Sequence, residues 1–216
     1  MDTRFHTWLE ARQNALPTRT FKELYHIGTL DPKQKKKGSH EGAGLSVTTH
    51  PDEWARITPL SGDLWVLKKS GNKFIDFHEL TDAQEEMLKE WGVRQGYITR
   101  ATLYRLTQYD SEADSEYYTD FEREEDARAE LWDDEDDSPI SQVPGIRATP
   151  KFSAATNSRE DETTMLVLDR LSTLFAEQNG YDGVWWEDEL DVLAYSAPRG
   201  VIVPSQVKTW KFTKVK

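Results

Sequence analysis

The sequence predicts an α+β protein, and two observations carry that prediction. Short β-branched and aromatic runs bounded by Gly, Pro, Asn and Asp occur in the first third of the chain and again in its last sixth, a pattern of strands and tight turns. Other segments place apolar residues at helical spacing behind recognisable helix starts. No internal repeat and no heptad pattern is present. At 216 residues the chain can bury a core without covalent staples. One domain over residues 1–216 is expected, with an acidic insertion at about 110–160.

Composition narrows the functional classes. The chain has no cysteine, so disulfides and thiolate metal sites are excluded. No run approaches the ~18 apolar residues of a membrane span, and Met1 to His6 lack the apolar core of a secretion signal. A cytoplasmic setting is therefore expected. The net charge of −12 is unevenly spread. Residues 110–137 hold fifteen acids and two arginines, a local charge of −13, which leaves the rest at +1. Direct nucleic-acid binding is not expected from this balance, because phosphates are held by Lys and Arg. The acidic segment has two readings: a solvated helix and linker, or a surface that meets a basic protein or imitates a phosphate backbone.

In chain order, residues 3–16 read as an amphipathic helix through Phe5, Trp8 and Leu9, with Pro17 beyond its end. Residues 21–26 read as a strand that leaves through Ile27, Gly28 and Thr29. The lysine-rich residues 31–44 are too polar to bury and form a loop. Residues 45–48 are a short strand. Thr49 to Trp54 is a helix start, with Pro51 at the first helical position and acids in the first turn. Residues 63–69 and 73–78 suggest a hairpin across Ser70, Gly71 and Asn72. Thr81 and Gln84 resemble a capping box opening a helix to about Trp91. Residues 97–109 are open between helix and strand. Residues 117–132 read as a charged helix, 133–137 as solvated coil, and 138–161 as a long loop. Residues 162–178 are the clearest helix, with Met165, Leu168, Leu171, Leu174 and Phe175 on one stripe and Gly180 past the end. Strands follow to the terminus.

Three constellations could carry chemistry. In the first, the turn Gly180-Tyr181-Asp182-Gly183 runs into Val184-Trp185-Trp186 and then Glu187, Asp188, Glu189 and Asp191. This is either a polar hairpin tip or a carboxylate set against aromatic surface, able to stabilise a cation formed in a reaction. On a strand Glu187 and Asp188 point to opposite faces, so register decides which is inward. In the second, His26 is followed by Gly28, where a ligand can approach the backbone, and by Thr29, a small hydroxyl. In the third, Gly42 and Gly44 precede Ser46, Thr48 and Thr49, a weak pattern that lines nucleotide sites or makes a simple turn. The histidines have no zinc-like spacing with acids.

In this order, Tyr25-His26-Ile27-Gly28-Thr29, then Gly44-Leu45-Ser46-Val47-Thr48, then Gly180 to Val184 running on to Val203-Pro204-Ser205-Gln206-Val207 resemble the ADP-ribosyltransferase fold. The look is that of small phage and bacterial members, including those used against host defence. The resemblance covers about 60 residues. It implies two small antiparallel sheets with surrounding helices, and NAD as substrate bound between them without a metal. It implies an oxocarbenium-like transition state stabilised by a carboxylate, and transfer of ADP-ribose to a macromolecule, a host protein in the host cytoplasm if the chain is phage-encoded. His26 would then hold a ribose hydroxyl, Gly28 and Thr29 the nicotinamide amide, and Ser46 the nicotinamide wall, with Thr48 beside it. The acid that many members keep at the start of the last motif strand would fall near Pro198, which cannot serve. Asp188, with Glu187 next, matches the alternative Glu-Asp-Glu placement. The first motif also carries an extra Ile27 between His26 and Gly28. A rival reading keeps the shell without catalysis, as an inhibitor whose acidic surface blocks a basic nucleic-acid-binding partner.

Overall fold

The computed structural model describes residues 15–30, 43–57, 62–110, 115–131, 140–156, 164–187 and 197–215. Eleven strands are present among them: β1 (Thr18–Arg19), β2 (Leu24–Gly28), β3 (Leu45–Thr48), β4 (Asp63–Lys68), β5 (Phe74–Asp76), β6 (Ile98–Asp110), β7 (Ser115–Phe121), β8 (Ile140–Ala148), β9 (Gly183–Glu187), β10 (Arg199–Ile202) and β11 (Lys211–Lys214). The helices are α1 (Pro51–Ile57), α2 (Asp82–Arg94), α3 (Glu124–Ala129), α4 (Pro150–Thr156), α5 (Thr164–Gln178) and α6 (Pro204–Val207). The class is α+β. The expected pair of small sheets is replaced by one eight-stranded sheet, ordered β1-β5-β9-β10-β3-β2-β4-β11, and a three-stranded sheet, β7-β6-β8. All pairings are antiparallel except β5 with β9. No helix among the described residues is long and apolar enough to cross a membrane.

The large sheet is curled, and chain length shows why. Laid flat, β4 and β5 would stand five inter-strand steps apart, about 24 Å at ~4.8 Å per step. The link through residues 69–73 reaches about 20 Å even when fully extended, and it turns at Gly71 with φ 64°. The flanks of the sheet must therefore approach each other. The expected hairpin of 63–69 with 73–78 is thus corrected: both strands exist, but β4 pairs with β2 and β11, and β5 with β1 and β9. Side chains hold the crossing. Buried Asn72 accepts from the Phe21 N–H at 2.8 Å and donates to the Phe21 and Lys69 carbonyls at 2.7 Å each. Asp182 accepts from the Lys73 N–H at 2.8 Å and from Lys69 Nζ at 2.5 Å.

Period-two alternation splits the sheet into two apolar faces. Leu24, Leu45, Val47, Leu67, Phe74, Trp185 and Ile202 share one core with Val207 and Trp210. Ile75, Val184, Trp186, Val201 and Val203 face the other, which α2 and α5 cover together with Ile98 and Ile146 from the small sheet. Two of the helix signals hold on these helices. Thr81 accepts from the Gln84 N–H and the Gln84 side chain accepts from the Thr81 N–H, giving the capping box of α2. Gly180, at φ 75°, follows α5.

Two more expectations are corrected. Residues 117–132 are not one helix: β7 occupies the first part and α3 only 124–129. Residues 138–161 are not a loop, since they hold β8 and α4. The ambiguous stretch 97–109 is strand β6. Most of the helix expected at 3–16, the coil at 133–137 and most of the loop at 31–44 lie outside the described residues; Ala15 and Leu16 are described and are not helical.

Candidate functional site

Four neighbouring strands, β2, β3, β10 and β9, hold the three motif segments side by side. Tyr25 lies opposite Thr48, Thr48 opposite Arg199, and Arg199 opposite Glu187. Residues 12 to 174 positions apart in the chain therefore meet along one line across the sheet. The line is tied by buried Thr48, whose hydroxyl donates to the Pro198 carbonyl at 2.5 Å and accepts from the His50 N–H at 3.0 Å. Between β9 and β10 the register slips at Arg199 and Gly200. Gly200 is required there, because a Cβ would stand 2.5 Å from the Trp185 ring and 2.6 Å from the Val184 carbonyl oxygen.

His26 is buried in the middle of β2, on the same face as Leu24. Its Nδ1 lies 2.8 Å from the Ser46 carbonyl oxygen and its Nε2 3.0 Å from that of Thr29. Carbonyls only accept, so a neutral ring satisfies one of them and an imidazolium satisfies both. His26 is thereby the tie between β2, β3 and the loop that leaves β2. Gly28 has φ 133°, and its carbonyl accepts from the Trp65 indole at 3.1 Å. The space beside it is taken by Gly62, where a Cβ would come within 2.7 Å of the Gly28 Cα. Thr29 is exposed.

Ser46 is half-buried and lies opposite Val201, so Ser46 and Thr48 share the face away from Leu45 and Val47. The structure thus gathers His26, Ser46 and Thr48 within two adjacent strands, but it divides the His26 ring and the two hydroxyls between opposite faces. Glu187 ends β9, opposite Arg199, and Asp188 lies outside the described residues. Both tryptophans before them are buried: Trp185 packs on Phe21 and Trp186 joins the helix-covered core. A tryptophan left over for ring stacking is therefore ruled out here.

Arg199 escaped the sequence reading. It opens β10 at the place where the family resemblance expects a carboxylate, and it is in register with both Thr48 and Glu187. The signal was present as Pro198-Arg199-Gly200, which reads as a turn. Asp182 also acts otherwise than as a turn residue, since it joins Lys69 and Lys73 to the start of β9. Close to the line, Tyr25 donates to Glu23 at 2.7 Å. That bond, and then Lys68, holds the Glu23 carboxyl below its ordinary range, while the same bond raises the Tyr25 phenol.

A cavity of about 610 Å³ opens elsewhere, among Phe21, Lys22, Lys68, Lys69 and Lys211, and its lining includes none of the motif residues. Among the described residues no group of three or more His, Asp or Glu is placed to hold a metal. Comparison of the chain with known protein families, with characterised proteins and with solved structures finds no match.

Proposed function

We propose that the protein is an NAD-dependent mono-ADP-ribosyltransferase that modifies a macromolecular target, a host protein. The observation that carries this reading is the meeting of the three motif segments on the adjacent strands β2, β3, β10 and β9. The adjacency supports the reading because segments far apart in the chain come from neighbouring strands.

The chemistry asks little of the protein beyond placement and charge. The bond between the ribose C1′ and the nicotinamide nitrogen breaks, and its electron pair neutralises the pyridinium, so the leaving group needs no proton. The ribose is left oxocarbenium-like, as in glycoside cleavage. An acceptor nucleophile on the target bonds to C1′ and gives up its proton. The chain supplies a carboxylate near the sugar, from Asp188 or Glu187 at the end of β9. That source suits a β10 that opens on a cation instead of an acid. His26 holds a ribose hydroxyl by exchanging one carbonyl partner for it, and the Thr29 carbonyl, on a loop, is the one that can yield. The resemblance gives the nicotinamide amide to Gly28 and Thr29, of which Thr29 is the exposed one; Ser46, on the face opposite the His26 ring, does not share a wall with it. Thr48 acts as a positioning residue, fixing the start of β10. No metal is needed.

The test is incubation of the protein with labelled NAD and host lysate, with Asp188→Asn and Glu187→Gln beside the parent. Label on a protein band with nicotinamide release is expected, reduced about 10²-fold in the variant that removes the acting acid. Free ADP-ribose without labelled protein would convert the reading to NAD hydrolysis. Neither label nor nicotinamide from the parent protein would reject it.

A further inference from the structure

Cations gather in one hollow of a chain whose net charge is −12. The cavity of about 610 Å³ is lined by Lys22, Lys68, Lys69 and Lys211, with Phe21 and Ser70 among them, and no carboxylate lines it. A second hollow of about 310 Å³ shares Lys68 and Lys211. The lysines come from three places: the segment entering β2, the end of β4 with the residue after it, and the first residue of β11. Two of the four are answered by acids, Lys68 by Glu23 at 2.9 Å and Lys69 by Asp182 at 2.5 Å. Lys22 and Lys211 have no acid partner among the described residues. Lys211 also stands directly opposite Lys68 in the pairing of β4 with β11, and like charges so placed repel. An anion lying between the two ammoniums reverses that repulsion.

Size and charge select the ligand. The volume falls within the ~300–1,000 Å³ of small-molecule sites. Two unbalanced cations from different segments match an anion that carries more than one charge. A lysine ammonium is a compact charge with three donors, which suits phosphate oxygens in any orientation. Thr20 and Ser70 line the same cavity, are exposed, and add hydroxyl donors. Asn72 is already spent on Phe21 and Lys69, so the lysines and hydroxyls are the groups left for a ligand. A concave site focuses the field of its own cations on a small anion, while the acidity of the whole chain opposes a long one such as nucleic acid. We propose that this cavity binds an oligophosphate, as a free chain or as the tail of a nucleotide, held by Lys22 and Lys211. None of its lining belongs to the motif segments.

The experiment titrates the full chain by calorimetry without NAD, so its failure is separate from failure of the transferase reading. The probes are inorganic triphosphate, adenosine triphosphate without metal, single phosphate and a short DNA duplex, at low and at physiological salt. Triphosphate is expected to bind at least about tenfold more tightly than single phosphate. Lys22→Gln and Lys211→Gln are each expected to weaken it about tenfold, and the double variant about a hundredfold. Both side chains are exposed, so these variants are expected to unfold at the parent's denaturant midpoint. Lys22→Arg with Lys211→Arg keeps both charges and is expected to bind within a few-fold of the parent. Tighter binding of the nucleotide than of triphosphate assigns the nucleotide tail as the ligand, and equal or weaker binding assigns the free chain. No triphosphate binding at low salt, unchanged binding in the double Gln variant, loss in the double Arg variant, or duplex binding as tight as that of triphosphate would each overturn the proposal.

Discussion

The two sheets spend their polar side chains in opposite ways. In the curled sheet the polar ties join distant segments: Thr48 to Pro198, Lys69 to Asp182, Asn72 to Phe21. In and around the three-stranded sheet most ion pairs join nearer neighbours, as in Arg105 with Asp120, Arg123 with Asp126, and Arg128 with Glu124, although Arg147 reaches Glu122 and Thr149 the Gly96 and Tyr97 carbonyls. The long-range ties are buried or half-buried, where an unmade hydrogen bond is costly. The pairs at α3 are exposed, where an ion pair contributes little. One region is therefore built to hold a geometry, and the other to present charge at small structural cost.

The sharpest way to break this contrast is to empty the curled sheet. Trp185→Ala should destabilise by about 4 kcal/mol, the scale of removing a buried aromatic, measured by denaturant unfolding. A loss as small as that of a surface change would mean that the sheet does not depend on its interior. Next comes Asp182→Ala, which strands the Lys73 N–H and leaves Lys69 with Gln206 alone. About 3 kcal/mol is expected, with hydrogen exchange speeding up in β5 and β9 first. Thr48→Val should cost about 1–2 kcal/mol and, on the transferase reading, should lower turnover more than NAD affinity. If turnover is untouched while stability falls, Thr48 has no part in positioning β10.

The other half of the contrast is tested by Asp126→Asn, in the exposed pair with Arg123, which should leave global stability within about 1 kcal/mol in denaturant unfolding. The smallest effect concerns pH. The Glu23 carboxyl titrates below its unfolded value because of Tyr25 and Lys68. Its contribution is therefore present above the unfolded value and disappears as pH falls through the folded one. An NMR titration should find this midpoint lowered, and Tyr25→Phe should move it upward.

Local chemistry was legible in the sequence; partnership was not. The Thr81 and Gln84 capping box, the α5 stripe with Gly180 beyond it, and the Pro51 helix start each rest on neighbours within a few residues, and each is present. The turn at Gly71 was also legible, but what satisfies Asn72 there is Phe21, 51 positions away. A local hairpin signal cannot reveal that. In β8, Pro144 and Gly145 read as loop, yet Pro is tolerated on an outer strand, and β8 is outermost in its sheet. In β7 the carboxylates masked an alternating strand. For the candidate site, the motif segments fall on neighbouring strands and Glu187 ends β9, while Asp188 lies outside the described residues. The order of the motifs did not identify Arg199, because a cation at a strand start resembles a turn until its two opposing residues are known. It also did not foresee that His26 faces away from Ser46 and Thr48, since β-strand faces depend on register.

The centre of the curled sheet has a consequence for how the molecule is made. β9 and β10 lie between β5 and β3, but they are contributed by residues 183–202, after every strand they join. While a ribosome is still translating that stretch, the earlier strands have two open edges and nothing to bridge them. The nascent chain must keep β3 and β5 from pairing with the wrong neighbour until this late insert emerges. Synthesis halted just short of it would release a split sheet, a ready substrate for chaperones and proteases.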